Sequence, residues 1–210
     1  MTKSCLILCL FLLIVTPLSA FGQSGTLPQD GIDARADSSE FARQLGHVDP
    51  LVRQRAAEAL AQLSAGGQKK LVEGYQLQEK NKNVRLALDW ALYRMGKAET
   101  LYRIVRDLDS ARHEQAVGYL RQLDSPVILY PFLKQRDAPA KITVGLLEAL
   151  AQLGDNETLD LIKPLQNSFA TGVAKAAEVA ADKIETRLAE TATPLSTRPR
   201  SIGTPNPDSP

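Results

Sequence analysis

The hexapeptide Glu58-Ala59-Leu60-Ala61-Gln62-Leu63 returns unchanged as Glu148-Ala149-Leu150-Ala151-Gln152-Leu153, ninety positions later. An exact return over that distance restricts the chain to architectures built from repeated units, and the spacing invites a search for weaker copies between the two. Around the first copy, Val52, Ala56, Leu60 and Leu63 form the apolar stripe of an amphipathic helix. Shifted by 32 the stripe reads Val84, Leu88, Leu92, Met95; by 60, Arg112, Ala116, Leu120, Leu123; by 90, Ile142, Leu146, Leu150, Leu153; by 121, Val173, Ala177, Ala181, Ile184. Five related helices at intervals of roughly thirty residues point to a helical solenoid.

Shorter apolar stripes lie between the long ones. Phe41 and Leu45, then Leu71, Val72 and Tyr75, then Leu101, Ile104, Val105 and Leu108 each mark a short helix. Val127, Ile128 and Phe132, and later Leu159, Ile162 and Leu165, mark two more. Each is expected to pair antiparallel with the long helix that follows it. The punctuation agrees. Asp49-Pro50 supplies an N-cap with proline at the first helical position, and Asn81 and Asp109 fall at the Asp49 position of the next two copies. Ser125-Pro126 and Ala138-Pro139 mark helix entrances, and Gly96 and Gly154 mark helix ends.

Asp49-Pro50-Leu51-Val52-Arg53, with Ala56-Ala57 and Ala59-Leu60 after it, resembles the HEAT repeat in its short, phycobilisome-lyase-type form, and Asn83-Val84-Arg85 matches again. The resemblance extends over residues 38–189. It implies an all-α fold, an α-solenoid of about five HEAT-like helical hairpins whose long helices line a concave, protein-binding surface. It also implies an Asp/Arg ladder tying neighbouring repeats. The arginine position reads Arg53, Arg85, His113, Thr143, Ala174, so the ladder is expected to weaken towards the C-terminus.

Residues 1–22 read as a secretory signal peptide. Lys3 gives the positive start, Cys5 to Val15 the apolar run, and small residues precede cleavage after Gly22 or after Ala20. That run spans only about 16 Å as a helix, short of a bilayer core of about 30 Å, so no stable membrane anchor is expected after cleavage. The expected location is exported, periplasmic or secreted. Both cysteines, Cys5 and Cys9, lie inside the signal segment, which leaves the rest of the chain without disulfide or thiolate chemistry. Without Lys3, acidic and basic side chains balance, so no global field favours nucleic acid; a local patch stays open. Residues 23–37 read as a flexible leader with solvated Asp30, Asp33 and Asp37, and the Pro/Ser/Thr-rich residues 190–210 as a disordered tail.

Catalytic signatures are weak. His113-Glu114-Gln115-Ala116-Val117 begins like a zincin motif but carries Val117 where the second histidine belongs, so His113 reads as structural and His47 as a turn residue. Gly66-Gly67-Gln68-Lys69-Lys70 lacks the spacing of a phosphate loop and reads as a helix-to-helix turn. Asp107 and Asp109 read as caps, and Asn156-Glu157-Thr158 as a coincidental glycosylation acceptor. No catalytic, cofactor-binding or metal-ligating residue is assigned. One departure from the repeat template stands out. Trp90 replaces Glu58, and Tyr93 and Arg94 replace Ala61 and Gln62, outside the stripe. These residue types anchor protein interfaces, so Trp90, Tyr93 and Arg94 are the candidate protein-binding residues. The competing reading packs Trp90, the sole tryptophan, between adjacent long helices.

The expected function is non-catalytic: an exported scaffold or adaptor for a protein whose identity the sequence does not carry. The alternatives are an enzyme related to the bilin lyases, as the resemblance implies, and a structural subunit of an envelope complex.

Overall fold

Asp49 stands in an extended conformation (φ −75°, ψ 120°), and its Oδ1 accepts from the Leu51 N–H at 2.9 Å. Pro50, with no N–H to satisfy, then opens α2 (Pro50–Gln62). Asn81 repeats this device at the start of α4 (Lys82–Arg94), where its Oδ1 accepts from Asn83 and Val84. The computed structural model describes residues 30–192 apart from residue 136. The expected signal peptide, the first part of the leader and the tail beyond residue 192 lie outside the described residues.

The described chain is all-helical, with no strand. To α2 and α4 it adds α1 (Asp30–Gln44), α3 (Lys69–Gln78), α5 (Thr100–Arg106), α6 (His113–Leu120), α7 (Tyr130–Leu133), α8 (Ala140–Leu153), α9 (Asn156–Ile162) and α10 (Thr171–Ala192), with short 3₁₀ turns between. Residues 30–37, read from the sequence as leader, belong to α1. Packing follows chain order: α2 lies on α4, α4 meets α6, α6 lies on α8 and α8 on α10. The shorter helices pack beside them, α1 on α2, α3 on α4, α5 on both α4 and α6, and α9 on α10.

The stripe residues are the core. Ala56, Leu60, Val84, Leu88, Leu92, Ala116, Leu120, Leu146, Leu150, Val173, Ala177, Ala181 and Ile184 are all buried. Val52, Ile142 and Leu153 are half-buried, and Leu63 is 39% exposed just past the end of α2. Val127 and Ile128 also depart from expectation: both are exposed, and Leu129 and Tyr130 are buried in their place. The reason is local geometry. Pro126–Leu129 is a 3₁₀ turn, with about three residues per turn rather than 3.6, which rotates a different side chain inward.

The core divides in two at α8. Leu146, Ala149 and Leu150 face the larger cluster, which reaches back to Leu45. Leu147 and Ala151 face a smaller one completed by Ile162 and by Val173, Ala177, Ala180, Ala181 and Ile184. A helix buried on two sides is apolar over more of its circumference than a single stripe allows.

The polar ties between helices differ from the expected Asp/Arg ladder. Arg53 donates through Nε and Nη2 to both carboxylate oxygens of Glu79, at 2.8 and 3.0 Å, and through Nη1 to the carbonyls of His47 and Val48. The Glu79 carbonyl in turn accepts from Arg85, and its Oε1 accepts from the Asn81 N–H. Glu79, at the end of α3, therefore plays the part assigned to the template aspartate, because Asp49 and Asn81 are spent on capping. Its bond to Arg53, set against a smaller burial cost, holds the Glu79 carboxyl below its ordinary range. Asp109 corrects another expectation. Helix α6 begins only at His113, so Asp109 caps nothing; it lies 3.7 Å from Lys141, and Asp107 forms a two-point pair with Arg112. At the later arginine positions Thr143 bonds only its own Pro139 carbonyl and Ala174 carries no donor, while Arg187 of α10 donates to the Gly154 carbonyl.

Helices α2 and α4 end in the same double bond pattern. After α4, the Lys97 N–H reaches the Leu92 carbonyl and the Gly96 N–H reaches the Tyr93 carbonyl, with Gly96 at φ +85°. After α2, Ala65 reaches Leu60 and Ser64 reaches Ala61, but the left-handed residue is Ser64, at φ +47°. A Cβ in that conformation costs roughly 1–2 kcal/mol, partly offset by glycine's unfolded-state entropy of about 0.5–1 kcal/mol. Ser64→Gly is therefore expected to raise stability by up to about 1 kcal/mol. A denaturant midpoint no higher than that of the parent would contradict the strain.

Candidate functional site

Helix α4 carries two groups of side chains outside its apolar stripe. One follows the template position of Glu58, where the sequence places Trp90. The other carries Lys82, Arg85 and Asp89, spaced three and four residues apart and hence on one side of the helix.

On the first face Trp90 is 2% exposed. Its ring stacks on Tyr119 of α6, with centroids 5.5 Å apart and planes 2° from parallel, and on Tyr93 at 5.6 Å. The Arg94 guanidinium lies 5.7 Å from the Trp90 ring centroid. Tyr119 continues past α4. Its hydroxyl donates at 2.6 Å to Glu58 Oε1 of α2 and accepts from Gln115 at 2.8 Å. Burial of the phenol, followed by the bond to Glu58, pushes the Tyr119 hydroxyl well above its ordinary value, so it stays a proton donor. Glu58, Trp90 and Tyr119 thus tie three successive long helices together. The exposed-anchor reading of Trp90 is corrected: the aromatic sits between helices, and the indole is withdrawn from any partner. Tyr93 and Arg94 remain half-buried at its edge. With Ser64, Gly96, Ala98 and Asp124 they line an open cleft of about 340 Å³, and Arg94 Nη1 lies 3.4 Å from the exposed Asp124.

The fourth copy of the template position, Glu148 on α8, is again a tie. Its Oε2 meets His113 Nε2 at 2.9 Å, and His113 Nδ1 lies 2.7 Å from the Leu108 carbonyl. Gly145 makes the approach of α8 possible: a Cβ there would stand 2.7 Å from Leu108 Cδ2 and 3.0 Å from the His113 ring. Burial works to lower the His113 pKa, but the Leu108 carbonyl and Glu148 together outweigh it, and the net direction is upward from 6.5. A raised folded-state value means that charged His113 contributes stability below its unfolded value, and that this contribution fades as pH rises through the folded value. The melting temperature should therefore carry a component that declines above about pH 6.5 and is missing in His113→Gln. Identical pH profiles for the two proteins would contradict the tie.

The second face of α4 meets α3 and α5 in a polar cleft of about 460 Å³, lined by Gln76, Lys82, Arg85, Leu86, Asp89, Arg103, Arg106, Asp107 and Arg112. Asp89 is 4% exposed, and its Oδ1 accepts from both Gln76 and Arg103 at 3.1 Å. Burial raises the Asp89 pKa from its ordinary value, and the Arg103 charge opposes the rise. Sequence reasoning misses this cleft. Its residues are scattered from Gln76 to Arg112, and only the helical spacing of Lys82, Arg85 and Asp89 hints at a polar face.

The other sequence candidates resolve simply. His47 Nδ1 accepts the Asp49 N–H within the α1–α2 turn, and Gly66–Gln68 is the 3₁₀ lead into α3. Thr158 is fully buried, closing a capping box with Asp155 and bonding Tyr130, so the glycosylation-like triplet serves the start of α9. Among the described residues no group of three or more His, Cys, Asp or Glu side chains is gathered as a metal would require, and no helix is long and apolar enough to cross a membrane. Compared with known proteins, the chain matches no protein-family model and no curated protein sequence.

Proposed function

We propose that this chain is an exported, non-catalytic α-solenoid of about five HEAT-like hairpins that serves as a protein-binding scaffold. The observation that carries the reading is the chain-order stacking of α2, α4, α6, α8 and α10. Template positions outside the apolar stripe, Glu58, Trp90 and Glu148, each bond or stack onto a different helix. Such a row holds side chains from several helices in fixed relation and offers one continuous surface to a partner. The protein-binding part assigned to Trp90, Tyr93 and Arg94 passes to the cleft that Tyr93 and Arg94 line, with Trp90 as the support beneath it.

The test has two parts. N-terminal mass determination on the exported fraction should find a mature chain beginning near Gln23; an intact Met1 in the cytoplasm would contradict export. The mature chain, immobilised, should then retain a protein that Arg94→Ala binds more weakly by about 2 kcal/mol. The melting temperature should change little, because Asp124 is exposed and such a pair contributes about 0–1 kcal/mol. Equal retention by both baits would remove Arg94 from the surface.

A further inference from the structure

The cleft between α3, α4 and α5 carries five cationic side chains, Lys82, Arg85, Arg103, Arg106 and Arg112, against two carboxylates, Asp89 and Asp107. Both carboxylates are already engaged. Asp107 holds Arg112 through Nε and Nη2 at 3.0 and 2.8 Å, and Asp89 holds Arg103 through Nη1 at 3.1 Å. Arg85 spends Nε and Nη2 on the Glu79 carbonyl, which fixes its guanidinium plane. Lys82 and Arg106 are exposed, with no hydrogen-bond or ion-pair partner among the described residues. The excess of cations is therefore uncompensated, within a chain whose formal net charge is only +1.

The cleft is also built rather than incidental. Asp89 and Gln76, 4% and 8% exposed, form a buried polar floor under Arg103. A carboxylate kept in a helix interior is costly unless it does something for its neighbours. This one anchors a guanidinium at the cleft wall, as Asp107 anchors Arg112 and the Glu79 carbonyl anchors Arg85. Three arginines held in place, with two free cations at the rim, match the requirements for recognising oxyanions by planar, multi-point hydrogen bonding. The volume of about 460 Å³ suits a small molecule.

We propose that this cleft binds a small polyanion, a ligand carrying two or more carboxylate or phosphoryl groups, with Lys82 and Arg106 supplying the free charges and Arg85, Arg103 and Arg112 the fixed ones. The site is independent of the protein-binding reading. It shares no lining residue with the cleft of Tyr93 and Arg94, and its test involves neither.

The experiment is calorimetric titration of the full-length chain with pyrophosphate and with citrate at low salt. One saturable site is expected, with affinity falling as salt rises. Lys82→Ala/Arg106→Ala should weaken it at least tenfold without moving the ligand-free melting temperature, since neither side chain has a partner to lose. Tighter binding of pyrophosphate assigns phosphoryl chemistry and tighter binding of citrate assigns carboxylate chemistry; either supports the site. Three results would overturn it: no saturable heat with either anion, undiminished binding by the double variant, or equal weakening by Lys175→Ala/Lys183→Ala on α10. An acidic hexapeptide that binds where both small anions fail would also overturn the small-ligand assignment.

Discussion

Trp90→Ala is expected to destabilise the protein by about 3–5 kcal/mol, the cost of removing a large aromatic from a packed interior. The indole stacks with Tyr93 and Tyr119 and has the Arg94 guanidinium near its ring. Losing it also frees Tyr119 from the wall that aims its hydroxyl at Glu58. The variant should lose the α2–α6 tie as well as the local packing, so Glu58→Gln introduced into it should cost less than in the parent. Emission from the sole tryptophan should be blue-shifted and resist quenchers. A loss below about 1 kcal/mol, or an emission maximum typical of indole in water, would return Trp90 to the surface.

The second large effect concerns α8. Leu147→Ala and Leu60→Ala each remove a fully buried leucine and should each cost about 2–5 kcal/mol. Their consequences should differ in place. Leu147 belongs to the small cluster with Ile162 and the α10 residues, and Leu60 to the large one. Under the proposed solenoid, neighbouring units are coupled only through their shared interface, so Leu147→Ala should release α9 and α10 while α2 to α6 stay protected. Leu150→Ala, on the same helix as Leu147, should instead behave like Leu60→Ala, because Leu150 faces the large cluster. A denaturation curve with one transition for Leu147→Ala, at the same midpoint by probes in α4 and α10, would contradict the division.

What is legible in the sequence depends on the range of the interaction. The stripe at Leu60, Leu92, Leu120, Leu150 and Ala181 is legible because helical periodicity is a local property, and so are the caps at Asp49 and Asn81. Glu79 is not, since its value lies in a carboxylate reaching Arg53 from 26 residues away. Leu147 and Ala151 escape notice because a stripe describes one buried face and α8 buries two. Trp90 is marked by its departure from the template, but composition alone does not distinguish an aromatic that meets a partner from one that meets the next helix. Arg103 and Arg112 lie on either side of the α5–α6 connection, and only the fold brings them to the cleft with Arg85.

The helices stack in chain order, and the two cores meet at α8. Native-state hydrogen exchange resolved by residue tests this division. Amides of α9 and α10 should exchange through a partial opening of lower free energy, leaving α2, α4 and α6 protected to the global limit. Leu147→Ala should widen that gap. A single opening free energy shared by α2 through α10, lowered uniformly by Leu147→Ala, would contradict it.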